Sequence, residues 1–497
     1  MESYVIGIDL GTGSTKAIAM NHAGEVIDTA QASYPTLQPG PGYQEQAPEL
    51  IWQAFIKCIA RITTSRKKAP DAISLSSAMH SVIPVDDNDQ PLMNMIIWAD
   101  NRSASIATRT RQSSDGQRIY EQTGTPIHAM TPLCKIQWLR ENRNDLFQKT
   151  AKFISIKEYI WHKLFRQYEV DYAIASATGL FNIENLCWNE LSLDATSLRI
   201  SQLSNPVNAS HKRMCTDPLV CRQTGVTDGT PFFMGASDGC LASVGSFATE
   251  EGYMALTIGT SGAVRVTKKK PMLNFRAMTF NYRLDDHTYI CGGPTNNGGV
   301  VLKWYAENFL GRKLETATDY SGLLKALADS KPGAEGLIFL PYVLGERAPI
   351  WNSDACGVFY GMRGHHRQAH LTRSVVEGIS LALFDITQNM IDTGLDITQI
   401  HVSGGFVHSE EWLQILANMF GKKICLINTA DASAIGAAFL AMKNLGIIKD
   451  YRELMPAEIK EYLPESEHMA TYRKLFLNYR DLYKSVAKLM TVNTILN

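Results

Sequence analysis

Two glycine- and hydroxyl-rich turns, each set between extended apolar runs and about half a chain apart, constrain this fold more than any other feature. The first lies in "GIDLGTGSTKAIAM", residues 7 to 20, and the second in "LTIGTSGAVRV", from residue 256. In the first copy an apolar strand over Val5 to Leu10 meets the turn Gly11-Thr12-Gly13-Ser14. A second strand then runs from Thr15 to Met20, Asn21 to Gly24 turn the chain again, and a third strand starts at Glu25. That order is a β-meander. The second copy has Gly259-Thr260-Ser261-Gly262, followed by strand-like "MTFNYRL" and "TYICGG" on either side of Asp285-Asp286. A chain of 497 residues exceeds one hydrophobic core. The simplest reading is therefore a duplicated domain with one hairpin per half and a cleft in which both tips grip one ligand. Extended runs alternate with helical patterns throughout, so the expected class is α/β.

The tips have the chemistry of a phosphate site without matching either standard loop. A Walker loop ends in Gly-Lys-Ser/Thr before a helix, whereas Lys16 here follows Thr15 and the chain stays extended. The dinucleotide fingerprint needs a third glycine where Lys16 stands. A tip of Gly, Thr and Ser still suits phosphate, because bare backbone N–H groups approach the oxygens and hydroxyls add donors. Asp9 would then face the phosphates. A carboxylate there repels them unless a hard cation lies between, and magnesium is the cation usually held by one or two carboxylates plus phosphates. A plain hairpin turn is the alternative reading at each tip.

Local punctuation places further elements. Pro48 opens a helix with Leu50, Ile51, Ala54, Phe55 and Cys58 on one face, and "AISLSS" at 72 reads as a buried strand. In the second half "GLIFLP" is a strand and the run from His370 to Ile391 a long helix. "QIHVSGGFVHSEEWLQILANMFG" predicts a strand, a Gly pair, Ser409 as N-cap, a helix and a closing glycine. Gly404 and Gly405 either make a close backbone contact or leave room for a flat adenosine. The domain boundary is expected near "GSFATEEGYMA", giving domains 1–246 and 247–497.

Composition removes several function classes. A net charge of −1 supplies no field for nucleic acid or an anionic membrane, and "RKK" at 66 and "KKK" at 268 read as solvated turns. No apolar run approaches a membrane span and the start lacks a signal-peptide pattern, so the expected location is the cytoplasm. The nine cysteines are scattered and never in C-x-x-C spacing, which suggests reduced packing residues. His365, His366 and His370 imitate a metal site, but no carboxylate or cysteine stands at a useful spacing, and a solvated basic face is expected.

With "GIDLGTGSTK", "MHS", "WADNR", "MTPLCKIQWLREN", "GASDG", "TIGTSG", "GVFYGMRGHHRQAHLTRSVVEG" and "VSGGF" in this order, the sequence resembles the FGGY family of carbohydrate kinases from end to end. The stretch from Met130 fits the family's first signature and the one from Gly357 its second. The resemblance implies two ribonuclease-H-like domains of the actin-like ATPase type, with an interdomain cleft holding ATP and a sugar. It implies Asp238, at the end of the apolar run "FFMGAS", as the catalytic base toward a sugar hydroxyl. Gly11, Thr12, Gly13, Lys16, Gly259 and Thr260 are then expected at the phosphates, Gly404 and Gly405 at adenosine, and Asp9 at Mg2+. The implied sugar site contains Met79, His80, Trp98, Asp100 and Gly239, the last standing where many members carry an amide. "AMHS", "WADNR", "SIKEY" and "GASDG" are most similar to the gluconate kinases of the family. A gluconate carboxylate needs cations or donors, for which Lys157, Arg102 and His80 are expected. Arg347 is expected either at the cleft mouth or in a surface ion pair. The implied partners are a small sugar or sugar acid and ATP, and a homodimer is left open. Xylulose, ribulose or another polyol is the alternative acceptor, and an actin-like ATPase without a sugar site is the reading from another class.

Overall fold

The computed structural model describes residues 2–427, 431–456 and 459–493, and these form two compact units. The first comprises residues 1–247, 268–291 and 431–455, and the second 248–267, 292–430 and 456–497. Two segments of the second half of the chain, 268–291 and 431–455, therefore belong to the first unit.

The first unit is built on the expected meander. Strands Tyr4–Leu10, Ser14–Asn21 and Val26–Ser33 pair antiparallel in sequence order. Ala72–Ser77 then lies parallel to the first strand, and Pro231–Ser237 parallel to Ala72–Ser77. Lys212–Met214 completes the sheet as an antiparallel edge. Helix Pro48–Arg66 starts with proline in its first turn, where the missing N–H costs nothing, and covers one face. Its Ile51, Phe55, Ile59 and Ile62 join Tyr4, Ile6, Ile8, Ile73 and Leu75 in one buried cluster. Leu50, expected on that face, is instead 40% exposed. Helix Ala432–Asn444 covers the other face, where its backbone lies directly against Gly7. Burial on both faces explains why the first and fourth strands read as continuous apolar or small runs.

The second unit repeats the device. Tyr253–Ile258 and Gly262–Lys268 form the second hairpin, and Gln399–Ser403 runs parallel to its first strand, followed by Lys423–Leu426 and Lys460–Tyr462. Helix Gln368–Ile391 is buried over most of its length. Ser409 caps helix Glu410–Phe420 through Trp412 N–H at 3.2 Å, and Gly421 ends it in the left-handed region, both as expected. The strand predicted in "GLIFLP" is Ile338–Leu340.

The two hairpins differ at one informative position. In the first, Asp9 lies beside Ser76 of the parallel strand, whose hydroxyl donates to Asp9 Oδ1 at 2.8 Å. At the matching place in the second, Thr257 lies beside Ser403, with their hydroxyls 3.1 Å apart. Both hairpins have a serine partner on the parallel strand, and at this position only the first carries a carboxylate.

Candidate active site

In the first unit the carboxyl ends of three parallel strands come together, the usual position for a ligand in an open α/β sheet. Asp9 ends one strand, Ser76 another, and Asp238 follows the third as the first residue of helix Asp238–Gly245. Ser237, not Asp238, caps that helix by accepting from Cys240 N–H, while Gly239 N–H donates to Asp238 Oδ1 at 2.7 Å. Burial, and next the Asp238 charge, push Asp9 up to about 7, against the opposing effects of the Ser76 hydrogen bond and Lys16. A group held this way gains from any cation placed beside it. Lys16 does not fill that role alone, because its Nζ pairs with Asp431 Oδ1 at 2.5 Å, 415 positions away in sequence.

The first hairpin tip is tied to the expected sugar loops. Trp98 Nε1 donates to Thr12 Oγ1 at 2.8 Å, and Gln46 Nε2 to the Thr12 carbonyl. Met79, Trp98, Gly11 and Thr12 line one small pocket. His80 sits at φ 68 with Nδ1 2.7 Å from the Ala177 carbonyl, so Nδ1 carries the proton there, and Nε2 faces the Tyr282 hydroxyl at 3.3 Å.

The charged residues expected to meet a substrate carboxylate have protein partners. Asp100 is fully buried and accepts from Gln44 N–H at 2.6 Å and from Arg102 Nη2 at 2.8 Å. The Arg102 guanidinium also donates to Glu45 at 2.7 Å and lies 4.0 Å from the centre of the Tyr43 ring. Lys157 Nζ donates to Asp171 at 2.7 Å and to the Ala236 carbonyl at 2.9 Å, just before Asp238. Burial, outweighing Asp171, lowers the Lys157 pKa. Arg102 and Lys157 thus brace the loops that carry Asp100 and Asp238. Sequence reasoning missed a third buried cation, Lys135, although it stands in the signature stretch from Met130. Its Nζ donates to the His80 carbonyl at 2.6 Å and the Ile97 carbonyl at 2.7 Å, tying the "MHS" and "WADNR" loops together. Burial pulls it down to about 7.

The second unit holds a cavity of about 570 Å³. Ile258, Gly259 and Thr260 of the hairpin line it, with Val300, Tyr320, Gly405, Phe406 and Trp412. The two residues of the Gly404-Gly405 pair differ in their surroundings. Gly404, at φ 116, has no room for a side chain, since a Cβ would lie 2.1 Å from the Ile258 carbonyl oxygen. Gly405 has open space in front of it and faces the cavity. Gly298 and Gly299, also missed, pack on the hairpin, with Gly299 N–H donating to the Gly259 carbonyl at 2.7 Å. Their signal was a Gly-Gly pair opening helix Gly299–Leu310.

Two other groups of residues have settled positions. Arg347 is buried and donates to the Thr295 carbonyl at 3.0 Å. The three histidines do meet a carboxylate, Glu335, which lies 3.2 Å from His365 and 3.8 Å from His370, and His370 is largely buried rather than solvated. Their partner comes from a distant stretch, beyond the reach of a spacing argument. Among the described residues no group of three His, Cys, Asp or Glu side chains is placed to hold a metal ion, and no helix is long and apolar enough to cross a membrane.

Comparison with known proteins agrees with this geometry. Residues 4–245 match the N-terminal domain, and residues 254–445 the C-terminal domain, of the FGGY family of carbohydrate kinases. The chain is 38% identical to the gluconokinase of Bacillus subtilis (strain 168), over 98% of this chain and 97% of that one. It is 30% identical to a xylulose kinase of Staphylococcus epidermidis, over 98% of both. The crystal structure of gluconate kinase from Lactobacillus acidophilus superposes with a TM-score of 0.93 at 34% identity, covering 98% of this chain and 99% of that one. With both family domains matched in order over most of the chain, and a full-length relative at 38% identity, the chain belongs to the FGGY family of carbohydrate kinases.

Proposed function

We propose that the protein transfers the γ-phosphoryl group of ATP to the terminal hydroxyl of D-gluconate, giving 6-phosphogluconate. The observation that carries the reaction is Asp238 at the carboxyl end of a parallel strand, close enough to Asp9 for its charge to raise that group's pKa. The gluconokinases at 38% identity favour gluconate over the xylulose for which relatives at 30% identity are named.

In this reading Asp238 accepts the proton of the acceptor hydroxyl as that oxygen meets the γ-phosphorus. In a loose phosphoryl transition state the hydroxyl keeps its proton until late, so orientation matters more than basicity. The Gly239 N–H bond and the Ser237 cap supply that orientation. Gly11, Thr12 and Gly13 in the first unit, and Gly259 and Thr260 in the second, are assigned to phosphates, and Gly405 to adenosine. Asp9, raised by burial and by Asp238, fits a magnesium ion that would offset charge on the phosphates. Met79, His80, Trp98 and Gly239 are assigned to direct sugar contact, and Asp100, Arg102 and Lys157 to holding the loops in place.

A coupled ADP-release assay over gluconate, xylulose, ribulose and glycerol tests the substrate. The highest kcat/KM is expected with gluconate, and a preference for a neutral ketose would remove that assignment. Asp238→Asn is expected to lower kcat by at least about a hundredfold, the usual worth of a positioned base, while ATP still binds. Near-normal turnover in that variant would mean another base.

A further inference from the structure

We propose that Cys215 and Cys221 are a thiol pair that a hydroperoxide converts into a reversible intramolecular disulfide. Their sulfurs lie 3.6 Å apart in the reduced protein. A disulfide needs about 2.05 Å, so the remaining gap is within reach of side-chain rotation. Hydrogen bonds hold the backbone around both cysteines. Cys215 N–H donates to the Thr230 carbonyl at 2.9 Å and the Cys215 carbonyl accepts from Gly229 N–H at 2.8 Å. Cys221 sits in helix Pro218–Thr224, which Asp217 caps, and Thr63 of helix Pro48–Arg66 donates to the Thr224 carbonyl at 2.6 Å.

The two thiols differ in a way that orders the chemistry. Cys221 is partly exposed and meets the oxidant first, whereas Cys215 is buried. Burial, and then the neighbouring sulfur, push the Cys215 thiol up to about 12, so it enters second. In the first step the Cys221 thiolate attacks a peroxide oxygen, the O–O bond breaks, and a sulfenic acid and an alcohol or water form. In the second, Cys215 sulfur attacks the sulfenic sulfur and the S–S bond forms. The departing hydroxide takes the Cys215 proton and leaves as water. The two thiols lose two electrons, which the peroxide gains. The pair stands at the Lys212–Met214 edge of the first unit's sheet and at the opposite end of the Pro231–Ser237 strand from Asp238. The bond is therefore expected to raise stability and leave turnover unchanged.

The sequence places both cysteines in one tryptic peptide, Met214–Arg222. The full-length enzyme is treated with hydrogen peroxide, alkylated, digested and weighed. The expected product is that peptide lighter by two hydrogen atoms, closed to alkylation and restored by dithiothreitol, with a higher Tm for the oxidised protein. Exposed Cys187 is the internal comparison and is expected to oxidise without linking. In C221S, Cys215 oxidation is expected to fall roughly tenfold or more. In C215S, Cys221 is expected to stop at a sulfenic acid that dimedone traps. Kinase activity of both variants is expected to match the unmodified enzyme. Cys187 oxidising fully while the peptide keeps both thiols would overturn the proposal. So would equal oxidation of Cys215 with and without Cys221, or a bond formed between two chains.

Discussion

Burial and the nearby Asp238 charge disfavour the ionised form of Asp9 in the folded protein, and this has a measurable sign. Its folded pKa of about 7 stands above the unfolded value of 3.8. The folded state therefore keeps a proton that the unfolded chain has already lost, and stability falls as pH rises between those values. Asp9→Asn, without nucleotide or magnesium, should melt higher than the parent near pH 8, by on the order of 1–2 kcal/mol once partial solvent contact is discounted. Near pH 5 the difference should shrink to less than half and below pH 3.8 it should vanish, and the variant should lose the extra stabilisation that magnesium adds to ATP. Equal melting curves at both pH values would show that Asp9 is not the unwelcome charge. Lys135 supports the opposite experiment. Lys135→Met keeps the volume and deletes the bonds to the His80 and Ile97 carbonyls, at a cost of about 1–3 kcal/mol for buried acceptors left alone. Because those carbonyls belong to the loops proposed to contact the sugar, KM for the sugar should rise about tenfold while KM for ATP stays put. Parallel changes in both constants would reduce Lys135 to a general packing residue.

Among the elements, the contact that matters most for Asp238 is a helix crossing at two glycines. Helix Asp238–Gly245 lies so close to helix Ala432–Asn444 that a Cβ on Gly436 would stand 1.9 Å from the Leu241 carbonyl oxygen. One on Gly245 would stand 2.1 Å from the Ala432 carbonyl oxygen. Both obstacles are backbone, which cannot swing aside as a side chain can. Gly436→Ala should cost about 3 kcal/mol or more and, by displacing the helix that starts at Asp238, lower kcat as well. A denaturant midpoint and kcat both within error of the parent would mean the helices part easily. Elements of this kind are the most readable from sequence. Strong local signals mark the hairpins, the proline start of Pro48–Arg66 and the serine cap of Glu410–Phe420. Asp238 is singled out by the family resemblance, because an acid ending an apolar run reads locally as a helix cap or turn residue. The partners of charged groups are not readable from sequence. Nothing local distinguishes an Arg102 that meets a ligand from one held by Asp100 and Glu45, or shows that Lys16 finds Asp431.

At the scale of the whole molecule, the least readable fact is that the chain does not fold as two consecutive halves. A boundary near residue 247 is where it first changes unit, yet residues 268–291 and 431–455 return to the first. The returning segments supply what residues 1–247 lack. Helix Ala432–Asn444 packs on the four central strands of the first sheet, with nine of its thirteen residues buried. Asn281 N–H donates to the Gly124 carbonyl at 2.7 Å, and Tyr282 meets His80. A chain ending at residue 247 would expose that apolar face and leave Gly7 and Gly245 without their partner, a patch larger than soluble monomers tolerate. Such a fragment should be insoluble, or compact without a cooperative melt. Appending residues 431–455 through a flexible linker should restore a cooperative transition, because burial of one amphipathic face is what the sheet needs. A fragment of residues 1–247 that melts cooperatively on its own would show that the first unit stands without this helix.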